Sequence, residues 1–335
     1  MTSILVRAVM AMAGSLIVAP PLLALLRRAQ VLDHPSERSS HAAPVPRGGG
    51  VAPALGALVA LLVTPAIGGS PRWGVAVTAM AFGVVGLVED VAGIRALLRL
   101  GIQFLAAVGA GVFLLNDLTG PVLWRAVFAI GVVFWLVAFV NAYNFMDGID
   151  GISIAQALGA GATWFVVGRL AGSAALAAGG AIAAGAALGF APYNVARPRM
   201  FLGDVGSYFL GAWLAAVAVV GLRAGVAPEA VMAPLGLYLA DTGATLLRRV
   251  VRGERWYLPH RDHAYQRLTD LGWSHVQASA FVLACIGACG ALGAVSLGAS
   301  VPARVAADVA VAGVVGAYLL TPRWLAPSPS GVALA

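Results

Sequence analysis

Eleven apolar runs, at about 4–26, 51–69, 73–88, 100–116, 122–140, 152–168, 173–191, 206–222, 229–247, 276–297 and 304–320, divide the chain into segments that each approach the length of a membrane span. A soluble core cannot absorb that much apolar helix. Of the 335 residues 60% are hydrophobic and only 10% are charged, and mean hydropathy is +0.90. The expected fold is all-α: a polytopic integral membrane protein of about 10–11 transmembrane helices. Residues 1–335 then form one transmembrane domain, with no length left for a soluble one. The first run has Arg7 ahead of its long apolar core and Arg27 and Arg28 directly behind it. That is a stop-transfer pattern, so it is expected to stay as a helix with its N-terminus outside.

Alternation from that start puts the segments at about 27–50, 89–99, 141–151, 192–205 and 248–275 on one side. They hold about two-thirds of the arginines, so the positive-inside rule makes that side cytoplasmic, as in a bacterial inner membrane. Arg72, Arg125, Arg169, Arg223 and Arg304 are scattered singly on the other side and suggest interface anchors. There is no lysine, which excludes Schiff-base and lysine-nucleophile chemistry and leaves anion binding to Arg, His and backbone amides. Cys285 and Cys289, four apart in one apolar run, share a helix face and read as packing residues.

The densest polar stretch, Asn141-Ala-Tyr-Asn144-Phe-Met-Asp147-Gly-Ile-Asp150-Gly151, follows directly on an apolar run. Ionisable groups at a membrane boundary are costly and by default functional. On an unbroken helix, polar residues every third position would fan Asn141 and Asp150 apart. Gly148 and Gly151 supply the freedom for a break that lets the carboxylates converge. The plainer reading makes Asp150 the N-cap of the next helix.

Four further loops carry chemistry. Arg38-Ser-Ser-His41 leads to Pro46-Arg47-Gly-Gly-Gly50, where arginine forks and glycine amides suit phosphate; a basic loop lying on headgroups explains it as well. Glu89-Asp90 are adjacent acids at a helix end, fit for a base or a metal ligand or simply a solvated boundary. Asn194, Arg197, Arg199 and Gly203-Asp204-Val-Gly206-Ser207 precede another helix. There Asp204 either caps or holds Mg²⁺ against a diphosphate. The last loop, His260-Arg261-Asp262-His263-Ala-Tyr265-Gln266-Arg267, reads as cationic recognition of phosphate and sugar, or as an amphipathic surface helix. Its two histidines make half a zinc site at most, with no Cys or third His nearby.

These motifs, in this order and on one face, resemble the polyprenyl-phosphate N-acetylhexosamine-1-phosphate transferases, the family that includes phospho-N-acetylmuramoyl-pentapeptide transferase. Asn141–Gly151 and Phe201–Ser207 are the most specific parts, and the resemblance extends from Asp33 to Arg267. The loop from His260 to Gln266, like that from Arg38 to Gly50, resembles the branch that primes O-antigen and related polysaccharides.

The resemblance implies transfer of a sugar 1-phosphate from a UDP-N-acetylhexosamine to undecaprenyl phosphate, with release of UMP and a need for Mg²⁺, Mn²⁺ being an alternative. It places Asp204 and Asp147 at the metal and gives Glu89, Asp90, Asp147, Asp150, Asp204, His260 and His263 catalytic roles. Arg38, His41, Arg47, Asn141, Asn144, Asn194, Arg199 and Arg261 then contact substrate. The family's acidic pair is usually Asp-Asp, and Glu89 departs from it; an extra methylene moves a carboxylate by about 1.5 Å, so Asp90 is expected to carry the role. A transporter, or a catalytically altered member, is the rival reading. An Asp-Gly-x-x-Ala-Arg phosphotransferase is excluded, because Asp150-Gly-Ile-Ser-Ile-Ala lacks the arginine. Small residues from Ala174 to Gly189 allow close helix packing and leave a homodimer open.

Overall fold

The computed structural model describes residues 2–33, 44–63, 70–254 and 261–326. Arg38, His41 and His260 lie outside these described residues. The long helices are α1 (Thr2–Arg28), α2 (Val51–Val63), α3 (Ser70–Ala92), α4 (Ala96–Leu114), α5 (Val122–Met146), α6 (Ile152–Leu170), α7 (Ala174–Asn194) and α8 (Gly203–Arg223). A short α9 (Pro228–Met232) continues through one 3-10 turn into α10 (Gly236–Val251), followed by α11 (Ala264–Asp270), α12 (His275–Ala294) and α13 (Val301–Leu325). Two strands of two residues each, β1 (Leu32–Asp33) and β2 (Val45–Pro46), pair antiparallel with Leu32 opposite Pro46.

Among the described residues, nine helical segments are long and apolar enough to cross a membrane: α1, α3, α4, α5, α7, α8, the joined α9–α10, α12 and α13. The chain is an all-α, multi-pass membrane protein. The other two expected runs differ for separate reasons. α2 has only 13 described helical residues, and the remainder of its run, 64–69, lies outside the description. α6 has 19 residues but is mostly buried against the other helices, and it carries Ser153 and Gln156 inward. Lipid does not select its composition; protein does. Gln156 donates to the Pro234 carbonyl at 3.0 Å, so its polarity is met inside.

The middle of the bundle is α8. Every residue from Val205 to Gly221 is buried, and the helix is apolar on all sides because α3, α5 and α7 surround it. Small residues set how closely the helices approach. A Cβ on Gly50 would overlap the Gly206 Cα, so the start of α2 crosses the start of α8 backbone on backbone. Indoles find acceptors across these contacts: the half-buried Trp135 donates to Ala215 O at 3.0 Å and the buried Trp213 to Gly179 O at 3.0 Å. Cys285 and Cys289 are buried and unbridged on α12, as expected of packing residues. This architecture gathers the C-terminal ends of α3 and α5 and the N-terminal end of α8 at one boundary.

Candidate active site at the ends of three helices

Helix α8 begins without a side-chain cap of its own. Its first amides need acceptors, and Asp90, from the end of α3, supplies them. Asp90 Oδ1 accepts from the Asp204 N–H at 2.9 Å and Oδ2 from the Val205 N–H at 2.9 Å. Asp90 is thus an N-cap contributed by another helix, its carboxylate also favoured by the positive end of the α8 dipole. Gly203 makes the approach feasible. It sits at φ +73°, and a Cβ there would lie 2.6 Å from Asp90 Oδ2.

Arg47, just after β2, bridges the two acids: its Nε is 2.6 Å from Asp90 Oδ1 and its Nη2 is 3.0 Å from Asp204 Oδ2. Burial works against the guanidinium charge, but Asp204, Asp90 and Asp33 outweigh it and raise the Arg47 pKa. The other oxygen of Asp204 accepts from Asn144 Nδ2 at 2.8 Å, and Asn144 also donates to Ser207 Oγ at 2.9 Å. Asp147 caps the C-terminus of α5 and accepts from Ser153 Oγ at 2.6 Å. Its carboxyl is pushed up to about 7, first by burial and further by Asp204 and Asp90, with Ser153 and Arg47 acting in the opposite sense. Asp90, Asp147 and Asp204 therefore share one field, with Arg47 as the cation that bridges two of them.

Other expected site residues are turned elsewhere. The helix breaks after Met146, as the glycines suggested, yet Asp147 and Asp150 do not converge. Asp150 Oδ2 lies 2.8 Å from His275 Nδ1 at the start of α12. Nor does Asp150 cap α6, whose N-cap is Gly151 at φ +82° with no side-chain bond. Asn141 donates to Gln103 on α4 at 2.6 Å and to Val137 O, away from the acidic cluster. Asn194 is buried, accepting from the Gly151 N–H at 3.0 Å, and so ties the 147–151 turn to the end of α7. The triple glycine is not a free anion cradle: Gly49 N–H and Gly50 N–H donate to the carbonyls of Phe201 and Leu202 at 2.8 and 2.7 Å. His263 is buried as the N-cap of α11, 3.3 Å from Asp241 inside the bundle. Arg261 pairs with Asp270 at 3.3 Å, and Arg199 is exposed.

Glu89 and Asp90 part company at once. Glu89 Oε1 is 2.9 Å from Arg99 Nη1 and Oε2 accepts from the Ile94 N–H at 2.8 Å, closing the 89–99 turn. Glu89→Asp cannot span both partners. It is expected to cost about 1–2 kcal/mol for the bond lost, read as a lower melting temperature; an unchanged melting temperature would show that the turn closes without this bond.

Sequence reasoning missed Ser153 and His275. Ser153 follows Asp147 by six residues across a helix break, and His275 is distant in the chain; neither carries a spacing signal. Asp241 did carry one, as a lone acid inside an apolar run. Its oxygens accept from the Ala264 N–H (3.1 Å to each) and the Tyr318 hydroxyl (2.7 Å), locking α10, α11 and α13 together.

The fold and site define a multi-pass helical membrane protein whose helix ends gather an arginine-bridged acidic cluster. Residues 72–222, which include Asp90, Asp147 and Asp204, match the model of glycosyl transferase family 4. Over 301 residues the chain is 26% identical to a probable undecaprenyl-phosphate N-acetylglucosaminyl 1-phosphate transferase of Bacillus subtilis, covering 86% of this chain and 83% of that protein. It is 30% identical over 297 residues to a decaprenyl-phosphate N-acetylglucosaminephosphotransferase of Mycobacterium tuberculosis, covering 76% of this chain and 73% of the relative. A phospho-N-acetylmuramoyl-pentapeptide-transferase of Gluconacetobacter diazotrophicus is 29% identical over 282 residues, 71% of this chain and 76% of its own. The chain belongs to glycosyl transferase family 4, among the polyprenyl-phosphate N-acetylhexosamine-1-phosphate transferases.

Proposed function

We propose that the chain transfers N-acetylhexosamine 1-phosphate from a UDP-sugar to undecaprenyl phosphate at the cytoplasmic face of a bacterial inner membrane, giving polyprenyl-diphosphate-sugar and UMP. The loops at 38–50 and 260–266 support a place at the first membrane step of O-antigen or related polysaccharide synthesis. The observation that carries the reading is the Arg47-bridged cluster of Asp90, Asp204, Asn144 and Asp147 at the ends of α3, α8 and α5. A transporter would need such groups at mid-span; Asp241, inside the α9–α10 span, is committed instead to Ala264 and Tyr318.

A divalent cation fits the cluster. Three carboxylates share a field with one bridging arginine, and the carboxyl of Asp147 is held near 7 without further positive charge. Mg²⁺ takes one or two carboxylates and completes its shell with water and phosphate oxygens, so two of these acids are enough for it. Asp204 and Asp147 would hold it, and when bound it would neutralise charge on the diphosphate. Asp90 keeps the first turn of α8, and with it Asp204, in place; Asn144 orients the Asp204 carboxylate; Arg47 sets its second oxygen. In the reaction an oxygen of the lipid phosphate attacks the β-phosphorus of the UDP-sugar in line. The new O–P bond forms as the bond from that phosphorus to the bridging oxygen breaks, and UMP leaves with the oxygen. The lipid phosphate is already largely ionised near pH 7, so positioning outweighs base catalysis.

The test is UMP release by purified protein from a panel of UDP-N-acetylhexosamines, including 6-deoxy donors, with undecaprenyl phosphate and Mg²⁺. Release is expected only when lipid and metal are both present, and the donor that works names the sugar. Folded protein that releases nothing across the panel, or releases UMP without lipid, would sink this reading.

A further inference from the structure

A second charged cavity, of about 290 Å³, lies where the ends of α10 and α13 meet the segment leading through α11. Five arginines, Arg248, Arg249, Arg252, Arg267 and Arg323, line it together with Thr245 and Asp262. Two acids answer them: Asp262, 2.8 Å from Arg249, and Glu254, 2.9 Å from Arg249 and 3.9 Å from Arg252. Among the described residues five guanidinium groups face these two carboxylates and, from inside the bundle, the charge of Asp241 near Arg248, so positive charge stays in excess. An arginine at the end of a helix is ordinarily explained by the helix dipole, and that accounts for each of these singly. It does not account for three helix ends bringing theirs into one concavity. A concavity lined mainly by one sign of charge draws anions into it.

The surroundings indicate which anion. Leu247, Val250 and Val251 on α10 and Trp324 and Leu325 on α13 adjoin the arginines in sequence and are all exposed. Exposed apolar side chains with a tryptophan at a helix end mark the lipid–water boundary. A soluble phosphate compound would use the arginines and leave this flank bare, whereas a phospholipid uses both, its phosphate in the cavity and its chains along the flank. The cavity is distinct from the acidic cluster, because α11 stands between them. On one side Tyr265 donates from its hydroxyl to Phe145 O at 3.2 Å, beside the Asp147 turn; on the other, Arg267 lines the cavity.

We propose that this cavity binds the phosphate group of an anionic phospholipid from the surrounding bilayer, separately from the reacting lipid. Full-length protein in a non-ionic detergent is titrated against fluorescent phosphatidylglycerol, read by anisotropy. Unlabelled phosphatidylglycerol, phosphatidylcholine with the same chains, and inorganic phosphate then compete. Phosphatidylglycerol is expected to displace the probe, and the other two are not. The double variant Arg252→Gln/Arg323→Gln is expected to bind roughly 30-fold more weakly, while Arg125→Gln, at the opposite end of the bundle, binds as wild type does. Equal competition by phosphatidylcholine would reduce the site to an apolar groove, and equal competition by inorganic phosphate would make it a soluble-anion site. Either outcome overturns the proposal, as does a double variant that binds normally or an Arg125→Gln loss of similar size. Should the double variant fail to fold, the wild-type competition decides alone.

Discussion

Asp204→Asn is expected to slow UMP release on the order of 10³-fold while the protein stays folded. The substitution keeps the size of the side chain, and an amide oxygen can still accept from Asn144 Nδ2, now 2.8 Å away. It removes the charge that faces Arg47 and that would hold a divalent cation. Arg47 retains Asp90 as a partner at 2.6 Å, so no cation is left stranded and the fold should survive. Asp90→Ala makes the contrast. It leaves the Asp204 and Val205 amides without their acceptor, a loss of about 1–3 kcal/mol for each unsatisfied group, while Arg47 keeps Asp204 at 3.0 Å. Thermal unfolding beside a UMP assay separates the two. Asp204→Asn that unfolds, or that turns over at near wild-type rate, would remove Asp204 from the metal and leave it a scaffold residue.

The second large effect is a pH dependence written by Asp147. Its folded pKa, about 7, lies above the ordinary carboxylate range, so between about pH 4 and 7 the folded chain keeps a proton that the unfolded chain has released. For this group the stability of metal-free protein is highest at the acid end and falls as pH rises through that window, by about 1.4 kcal/mol per unit. A cation on the ionised carboxylate reverses the sense. Below pH 7 it must displace the proton, so the Mg²⁺ concentration for half-maximal release is expected to fall about tenfold per unit up to pH 7 and then level. Melting temperatures with and without Mg²⁺ should diverge over the same range. A half-saturating Mg²⁺ concentration that ignores pH from 5.5 to 7 would take Asp147 away from the metal; Asp147→Asn should flatten the profile if it belongs there.

The helices were legible because continuous apolar runs admit one solution in lipid, and the breaks were legible where glycine interrupts polar residues, as at Gly148 and Gly151. What each carboxylate does past the break was not. Asp147 and Asp150 stand three apart with the same chemistry, and their divergence depends on Ser153 and His275, which tertiary packing delivers. Glu89 and Asp90 present the same difficulty in sharper form. Adjacent acids read as a pair, yet one closes its own turn and the other serves a helix 114 residues away. Gly48–Gly50 reads equally well as an anion cradle or as part of a basic loop on headgroups; the structure makes it a close helix crossing, since the carbonyls of Phe201 and Leu202 already receive two of its amides. His263 looks like a ligand in its motif, but its partner Asp241 sits in an apolar run where the pairing leaves no pattern. Composition and period specify elements, whereas a site made from the ends of separate elements is specified by their meeting.

The long reach of Asp90 also has a consequence for biogenesis. The amides that it caps are translated 114 residues later, so at roughly 5–20 residues per second the carboxylate waits about 6–23 s at the membrane boundary. Arg47, made 43 residues earlier, is already present and is the one member of the final cluster able to neutralise it during that interval. Weakening this arginine is therefore expected to lower the yield of inserted protein, measured in the membrane fraction beside the rate of the finished enzyme.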